Sequence, residues 1–307
     1  MRVAAFVVEA GGVSAMLNVD SLDGRNGPNI DEPCSTVSSG EPILSAGDRF
    51  RVLSYNVHVG IATTNLAHYL RSTWKHVLPF NGRRANLDRI ADFIAGFDVV
   101  GLQEVDAGSL RCNFDIPGRL SERGGFPFRY TRINRDLGYA RHAMALLSRR
   151  APHNVVMHRL PGAIPGRGSI EAQFRLANGG TLGVFIVHLA LSPRARAGQL
   201  AYLAEAANAH DRAVVLGDFN CQPKSSEFKQ FLNMTGLLPA GPTVATYPAW
   251  APRAALDHIL ASPQLAAGLH RAYPIKLSDH LPIGVELCVD DAISPPEPRS
   301  ENRSRRS

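Results

Sequence analysis

Two stretches of the chain follow one plan, and that plan constrains the fold more than any other feature. In "NLDRIADFIAG", Leu87, Ile90, Ala91 and Ile94 recur at helical spacing and Gly96 stops the run. The buried strand "FDVVGLQEVD" follows and reaches Glu104, 17 residues after Leu87. In "PRARAGQLAYLAEAANAH", Pro193 stands where the first helical residue would, and Leu200, Leu203, Ala204 and Ala207 share a face. The strand "RAVVLGDFN" then reaches Asp218, 18 residues after Leu200. Each helix–strand unit delivers a carboxylate from a strand end. The expectation is an α/β chain of two similar halves that meet at one site.

Further strands are expected at "RFRVLSYNV", with Phe50, Val52 and Ser54 on one face, and at "TLGVFIVHLA", "LDHILAS" and "LPIGVELCV". Residues 1–47 are rich in Gly, Ser, Asn and Asp without periodicity and read as a flexible segment. Residues 48–289 read as one catalytic domain, and 290–307 as a disordered tail. No apolar run reaches the ~18 residues of a membrane-spanning helix. The opening "MRVAAFVVEAGGVSAML" is weakly signal-like, because Glu9 interrupts its apolar part. Cys34, Cys112, Cys221 and Cys288 lie far apart and form no CxxC pair, which argues against a zinc knuckle and a dense disulfide framework. A cytoplasmic monomer is expected.

The formal net charge of +6 is unevenly spread. Residues 1–47 carry −4 and residues 290–307 carry 0, so residues 48–289, with 27 basic and 17 acidic side chains, carry +10. A basic body steers an anionic substrate. A soluble basic surface would account for the charge equally well.

Polar groups finish several of the expected strands: Asn56, Glu104, His188, Asp218 with Asn220, Asp257, and Asp279 with His280. Singly, each has an ordinary reading as a turn residue, a helix cap or a packing imidazole. Glu104 is less ordinary, because a carboxylate after "VVGLQ" risks burial and needs a partner or a metal. Together, converging carboxylates repel one another unless a divalent cation or positive groups sit among them. Hard oxygen ligands favour Mg²⁺, Mn²⁺ or Ca²⁺ over zinc. Asparagines can orient phosphate oxygens without adding charge, and histidines can donate to those oxygens or move a proton.

In this order, "YNVHVG", "LQEVD", "VHLALS", "LGDFNCQP", "TYPAWAPRAALDHIL" and "SDHLPI" resemble the endonuclease/exonuclease/phosphatase superfamily of metal-dependent phosphoesterases, over about residues 49–289. The resemblance implies a four-layer αββα sandwich with two facing mixed sheets and a site at the sheet ends. It implies Mg²⁺ as cofactor, with Mn²⁺ as substitute, held mainly by Glu104 with Asn56 close by. Asp218 would position or deprotonate the attacking water, and Asn220 would hold a phosphate oxygen. Asp257 would orient His280, which would bind or protonate phosphate oxygens. His188 matches a histidine that contacts the phosphate, and Asp279 would help hold the metal or His280. The base is left open between Asp218 and His280.

The chain departs from the family pattern twice. Met144 in "RHAMALLSR" occupies the place of an amide and cannot bond a phosphate oxygen; His142 is a candidate substitute, against the plainer reading of a surface histidine. His58 stands where nucleases that cut at damaged sites carry an aspartate. Between Tyr69 and Arg84, basic Arg71, Lys75, Arg83 and Arg84 alternate with aromatic Tyr69, Trp74 and Phe80, which suits a phosphate backbone or an anionic membrane, although a solvated loop with its aromatics folded inward is the favoured reading. The expected activity is a phosphodiesterase using activated water, with nucleic acid slightly favoured as substrate. A phospholipid, sphingomyelin or inositol-phosphate hydrolase is the alternative, and a catalytically inactive binding relative is the reading from a different class.

Overall fold

The computed structural model describes residues 4–5, 43–61, 82–162 and 166–290. In chain order the strands are β1 (Ala4–Ala5), β2 (Arg49–Asn56), β3 (Val99–Asp106), β4 (Phe128–Asp136), β5 (Arg141–Ser148), β6 (Asn154–Arg159), β7 (Gly168–Arg175), β8 (Thr181–His188), β9 (Arg212–Asp218), β10 (Leu238–Pro239), β11 (Asp257–Ala261), β12 (Leu265–Ala267), β13 (Arg271–Ala272) and β14 (Ile283–Val289). The helices are α1 (Gly82–Ile94), α2 (Ile116–Gly124), α3 (Pro193–Ala207) and α4 (Ser226–Thr235). Both amphipathic runs read from the sequence fold as helices, α1 and α3, with Pro193 opening α3 as expected. Helix α2 begins at the Asp115 cap, whose carboxylate accepts from Gly118 N at 3.1 Å, and ends at left-handed Gly125.

Two mixed sheets result. One runs β12-β14-β2-β3-β5-β4, with β13 on β14, and the other β1-β6-β7-β8-β9-β11-β10. Each contains one parallel pair, β2 with β3 and β8 with β9. Helix α1 precedes β3 and α3 joins β8 to β9. The two helix–strand units of the sequence are therefore the central crossovers of the two sheets.

Three apolar layers hold the sheets and helices together. Val52, Met144 and Leu146 of the first sheet pack against Ile170, Val184, Ile186, Val214 and Leu216 of the second. Leu53, Tyr55, Val100 and Leu102 face Leu87, Ile90 and Ile94 of α1 and Leu120 of α2. Phe185, Val187 and Val215 face Leu200 and Leu203 of α3 and Phe228 and Phe231 of α4. This is the αββα sandwich that the resemblance implied. The sheets approach closely at Gly101, where a Cβ would lie 2.7 Å from Ile186 Cδ1. Met144 is wholly buried between the sheets. Leu44, inside the segment read as flexible, is buried and its N–H donates to Arg175 O, so packing begins before residue 48. Most of 1–47, and 291–307, lie outside the described residues, as do Tyr69, Arg71, Trp74, Lys75 and Phe80. Arg83 is buried and donates to Arg111 O, and Arg84 stacks 5.0 Å over Phe114, which ties both to the fold. No described helix is long and apolar enough to cross a membrane.

Candidate active site at the strand ends

Side-chain alternation aims most of the site. On β9, Val214 and Leu216 face the other sheet, so Asp218 faces it too. The same period carries His188 beyond Val184 and Ile186 on β8, Asn56 beyond Val52 on β2, and Asp257 ahead of Ile259 on β11. Asp218 is directly opposite His188 on one side and Asp257 on the other. Two carboxylates in cross-strand register repel each other and call for a positive partner.

Glu104 breaks the alternation. Leu102 and Val105, three residues apart, both face α1 and α2, because the β3–β5 register shifts between them. Glu104 sits inside this bulge with φ of 53°. The irregularity turns its carboxylate away from the helices and towards Asn56. His58, Val59 and Asn220 also have positive φ, at 44°, 54° and 53°. Non-glycine residues adopt this region at a cost of order 1–3 kcal/mol each, and such strain gathers where a site demands it. Gly217 allows the close pairing of β8 and β9 beside Asp218: with φ of 152°, a Cβ there would lie 2.0 Å from Val187 O.

All eight sequence-selected residues come together. Asn56 Nδ2 donates to Glu104 Oε1 and to Asp218 Oδ2, both at 3.2 Å. Asn56 Oδ1 accepts from His58 N at 3.1 Å, which fixes the amide's orientation. His188 Nε2 lies 3.9 Å from Glu104 Oε1 and 3.7 Å from Asp218 Oδ2. His280 Nδ1 donates to Asp257 Oδ2 at 2.8 Å, leaving Nε2 3.9 Å from Asp218 Oδ2. Asn220 N donates to Asp218 Oδ1 at 2.9 Å, and its Nδ2 spends one hydrogen on Leu189 O, which leaves a second for a ligand. Asp279 accepts from Ser278 Oγ and faces His58 Nδ1 at 3.5 Å.

Sequence reasoning passed over four contributors. Thr246 Oγ1 donates to Asp257 Oδ2, the oxygen that also receives His280. Tyr247 packs its ring 4.9 Å from that of His280. Ser278 Oγ donates to Asn56 O at 2.7 Å and pins the last motif to β2. Arg167, one residue ahead of β7, is half-buried and acts electrostatically on Glu104, Asp218 and His188. Thr246, Tyr247 and Ser278 lay inside the family motifs; nothing in the local sequence marked Arg167. His142 is half-buried opposite Asp106 on the neighbouring strand, not a surface residue.

Burial and charge set the protonation states. Burial raises Asp218 to about 7, with Asp257 adding to the rise and His280 opposing it. Burial would lower His280, but Asp257, through charge and hydrogen bond, and Asp218 push it up to about 10. Burial and Arg167 lower His188 to about 3, so this imidazole is neutral near pH 7. Burial would raise Glu104, yet His188, His58 and the Asn56 amide hold it at about 2. With His188 neutral, the support at pH 7 comes from the Asn56 amide and the protonated His280. Burial raises Asp279.

The residues fit a hard divalent cation. Glu104 and Asp218 bring oxygens to one amide, and Glu104 remains about a third exposed. Asp257 Oδ1 is buried and has no hydrogen-bond partner among the described residues. Asp218, Asp257 and His280 each offer an atom within 4.8 Å of the others'. In that trio His280 and Thr246 already engage Asp257, so it reads as an oriented acid–imidazole pair, and the open oxygen face lies towards Glu104.

Fold and site together define an α/β sandwich of the metal-dependent phosphoesterase class. Residues 53–280 match the model of the Endonuclease/Exonuclease/phosphatase family. The chain belongs to that family, whose members hydrolyse phosphate esters with a metal ion. Among solved structures, an endonuclease/exonuclease/phosphatase protein from Beutenbergia cavernae is similar at 20% identity, covering 79% of this chain and 72% of that one, with a TM-score of 0.60. The catalytic domain of human Nocturnin with bound sulfate is similar at 20% identity over 78% of this chain and 93% of that one, with a TM-score of 0.58. A mannosyl-6-phosphatase from Bacteroides thetaiotaomicron is similar at 18% identity over 78% and 99%, with a TM-score of 0.57. At these identities the likeness is one of fold. No curated protein matches the chain significantly.

Proposed function

We propose that the chain is a Mg²⁺-dependent phosphodiesterase that hydrolyses its substrate by attack of an activated water. The observation that carries this reading is the placement of Asp218, within 4 Å of Asn56, His188 and His280 at one edge. Glu104, with Asn56 and Asp279 adjoining, would hold the ion, which supplies charge neutralisation and polarises a phosphate oxygen when bound. Asp218, raised to about 7, takes the proton of the attacking water. His280, pushed up to about 10, stays protonated near neutral pH, so it donates to phosphate oxygens and does not serve as base. Asp257 and Thr246 hold the imidazole in line. Asn220 gives its second amide hydrogen to a phosphate oxygen, and His188 and Arg167 complete the anion's surroundings.

The basic body supports an anionic diester but does not separate nucleic acid from a phospholipid head group. The likeness to a mannosyl-6-phosphatase makes a sugar monoester the proper comparison substrate. The test is hydrolysis of bis(4-nitrophenyl) phosphate and 4-nitrophenyl phosphate with Mg²⁺ or EDTA, by the wild type and Asp218→Ala. Diester turnover that needs Mg²⁺ and is lost in the variant is the expected result. Turnover that survives both EDTA and the substitution overturns the mechanism.

A further inference from the structure

The two most exposed apolar side chains of the described residues stand by the site, while Leu269, 68% exposed between β12 and β13, lies away from it. Leu191, three residues past His188, is 75% exposed, and Leu110, on the loop after β3, is 73% exposed. Ile133 on β4 and Tyr139 on the β4–β5 turn are 41% and 48% exposed. Strand direction places them at one end. β3 and β4 are both antiparallel to β5, so β4 finishes beside Glu104, while Leu191 follows β8 at His188. Leu110 also walls a cleft of about 370 Å³ with Phe114 and Arg141.

The charge of this rim is one-sided. Arg135 is the last residue but one of β4, Arg159 closes β6, Arg194 follows Pro193 at the start of α3 and Arg253 lies on the loop of Tyr247; all four are exposed. The exposed acid among the described residues of these loops is Asp136, tied to Arg141 and to Gly138 N, and the half-buried Asp115 is tied to Arg129 and to Gly118 N.

Cations alone would suit any polyanion. Projecting leucines separate the candidates. A nucleic acid offers phosphates to arginine and base faces to aromatic rings, and leaves aliphatic side chains in water. A lipid surface rewards both features, with apolar side chains entering the head-group boundary and cations meeting anionic head groups.

We propose that this rim seats the protein on an anionic phospholipid surface, so that the ester it hydrolyses is a head-group phosphodiester presented by a bilayer. The docking stands on the rim; its link to hydrolysis rests on the phosphoesterase reading. Leu110 and Leu191 enter the boundary on either side of the site, and the arginines lie against lipid phosphates. The active site then faces the membrane directly.

The test is sedimentation of the full chain, in EDTA, with vesicles of phosphatidylcholine alone or mixed with phosphatidylglycerol. Hydrolysis of bis(4-nitrophenyl) phosphate in Mg²⁺ is measured in parallel. Binding is expected with phosphatidylglycerol, weakening as salt rises. The Leu110→Ser/Leu191→Ser variant should bind at least about tenfold less, since two apolar side chains no longer leave water. Leu238→Ser, 55% exposed at the far end beside Ala261, should bind as wild type. Three results overturn the proposal: wild type that stays in the supernatant, a double variant that binds as well as wild type, or equal losses in Leu238→Ser. Retardation of a single-stranded oligonucleotide without vesicle binding would assign the rim to nucleic acid instead. Vesicle binding without diester turnover would sink the phosphoesterase reading and leave the docking intact.

Discussion

Asn56 Nδ2 stands 3.2 Å from Glu104 Oε1 and 3.2 Å from Asp218 Oδ2, so one neutral amide bridges carboxylates carried by different sheets. The bridge couples the two halves of the sandwich at the point where the chemistry is proposed to occur.

Removing the bridge should separate catalysis from stability. Asn56→Ala leaves the two carboxylates facing each other without their common donor. We expect kcat/KM on a soluble diester to fall by about 10²-fold, as for loss of one preorganised donor. The Mg²⁺ concentration for half-maximal rate should rise as well. Unchanged metal dependence and rate would remove Asn56 from the site.

The pH–rate profile should carry the signature of Asp218. A base works deprotonated, so kcat/KM should fall about tenfold per pH unit below about 7, where burial and Asp257 set its pKa. A cation near the carboxylate favours the charged form, so the limb should move to lower pH as Mg²⁺ is raised. An acid limb insensitive to Asp218→Glu and to Mg²⁺ would count against the assignment.

In the proposed mechanism Asp257 acts through His280, so its loss should show in the alkaline limb. In Asp257→Asn, the charge and charge-assisted bond that raise the imidazole are gone, and burial pulls its pKa down from about 10. We expect kcat to fall by about 10³-fold, with the alkaline limb moved to lower pH. A drop in kcat with an unmoved limb would mean a structural role only.

Away from the site, Glu171 should govern acid stability. Burial would raise this carboxyl, but hydrogen bonds with His158 at 2.6 Å, His210 at 2.8 Å and Gln173 hold it at about 2. A depressed carboxyl stabilises the fold above its unfolded pKa and loses that contribution as pH falls through its folded value. About 3 kcal/mol should therefore disappear between pH ~4.5 and ~2. Denaturant melts at pH 7 and pH 3 should show a smaller pH difference for Glu171→Gln than for wild type.

Gly217→Ala should be costly, since its Cβ would meet Val187 O at 2.0 Å. Neither backbone strand can yield without breaking the β8–β9 pairing beside Asp218. A loss of at least about 3 kcal/mol in urea unfolding is expected. Near-wild-type stability would show that the strand pair can relax.

Alternation made much of the site legible in the chain itself. Asn56, His188, Asp218 and Asp257 occupy the even step of a period whose inner members, Val52, Ile186, Leu216 and Ile259, are plainly apolar. A pattern of period two fixes which way a strand's last residue points, and a helical stripe fixes which face packs, without knowledge of any other strand. The family motifs supplied the rest of the residue set.

Glu104 shows where the pattern stops. Counting from Leu102, it belongs on the helix side; the bulge between Leu102 and Val105 and its positive φ put it on the other. A bulge is a property of two paired strands, so β3 alone could not announce it. Arg167, Thr246 and the leucine rim share that limit: each matters through neighbours far off in the chain, and only the closing of two sheets on one another brings those neighbours within range. The local periods of the sequence thus set the elements and most inward-facing positions. The tertiary fold decided the bulge, the charge balance and the company each acid keeps, because those depend on distances between segments that the linear order does not contain.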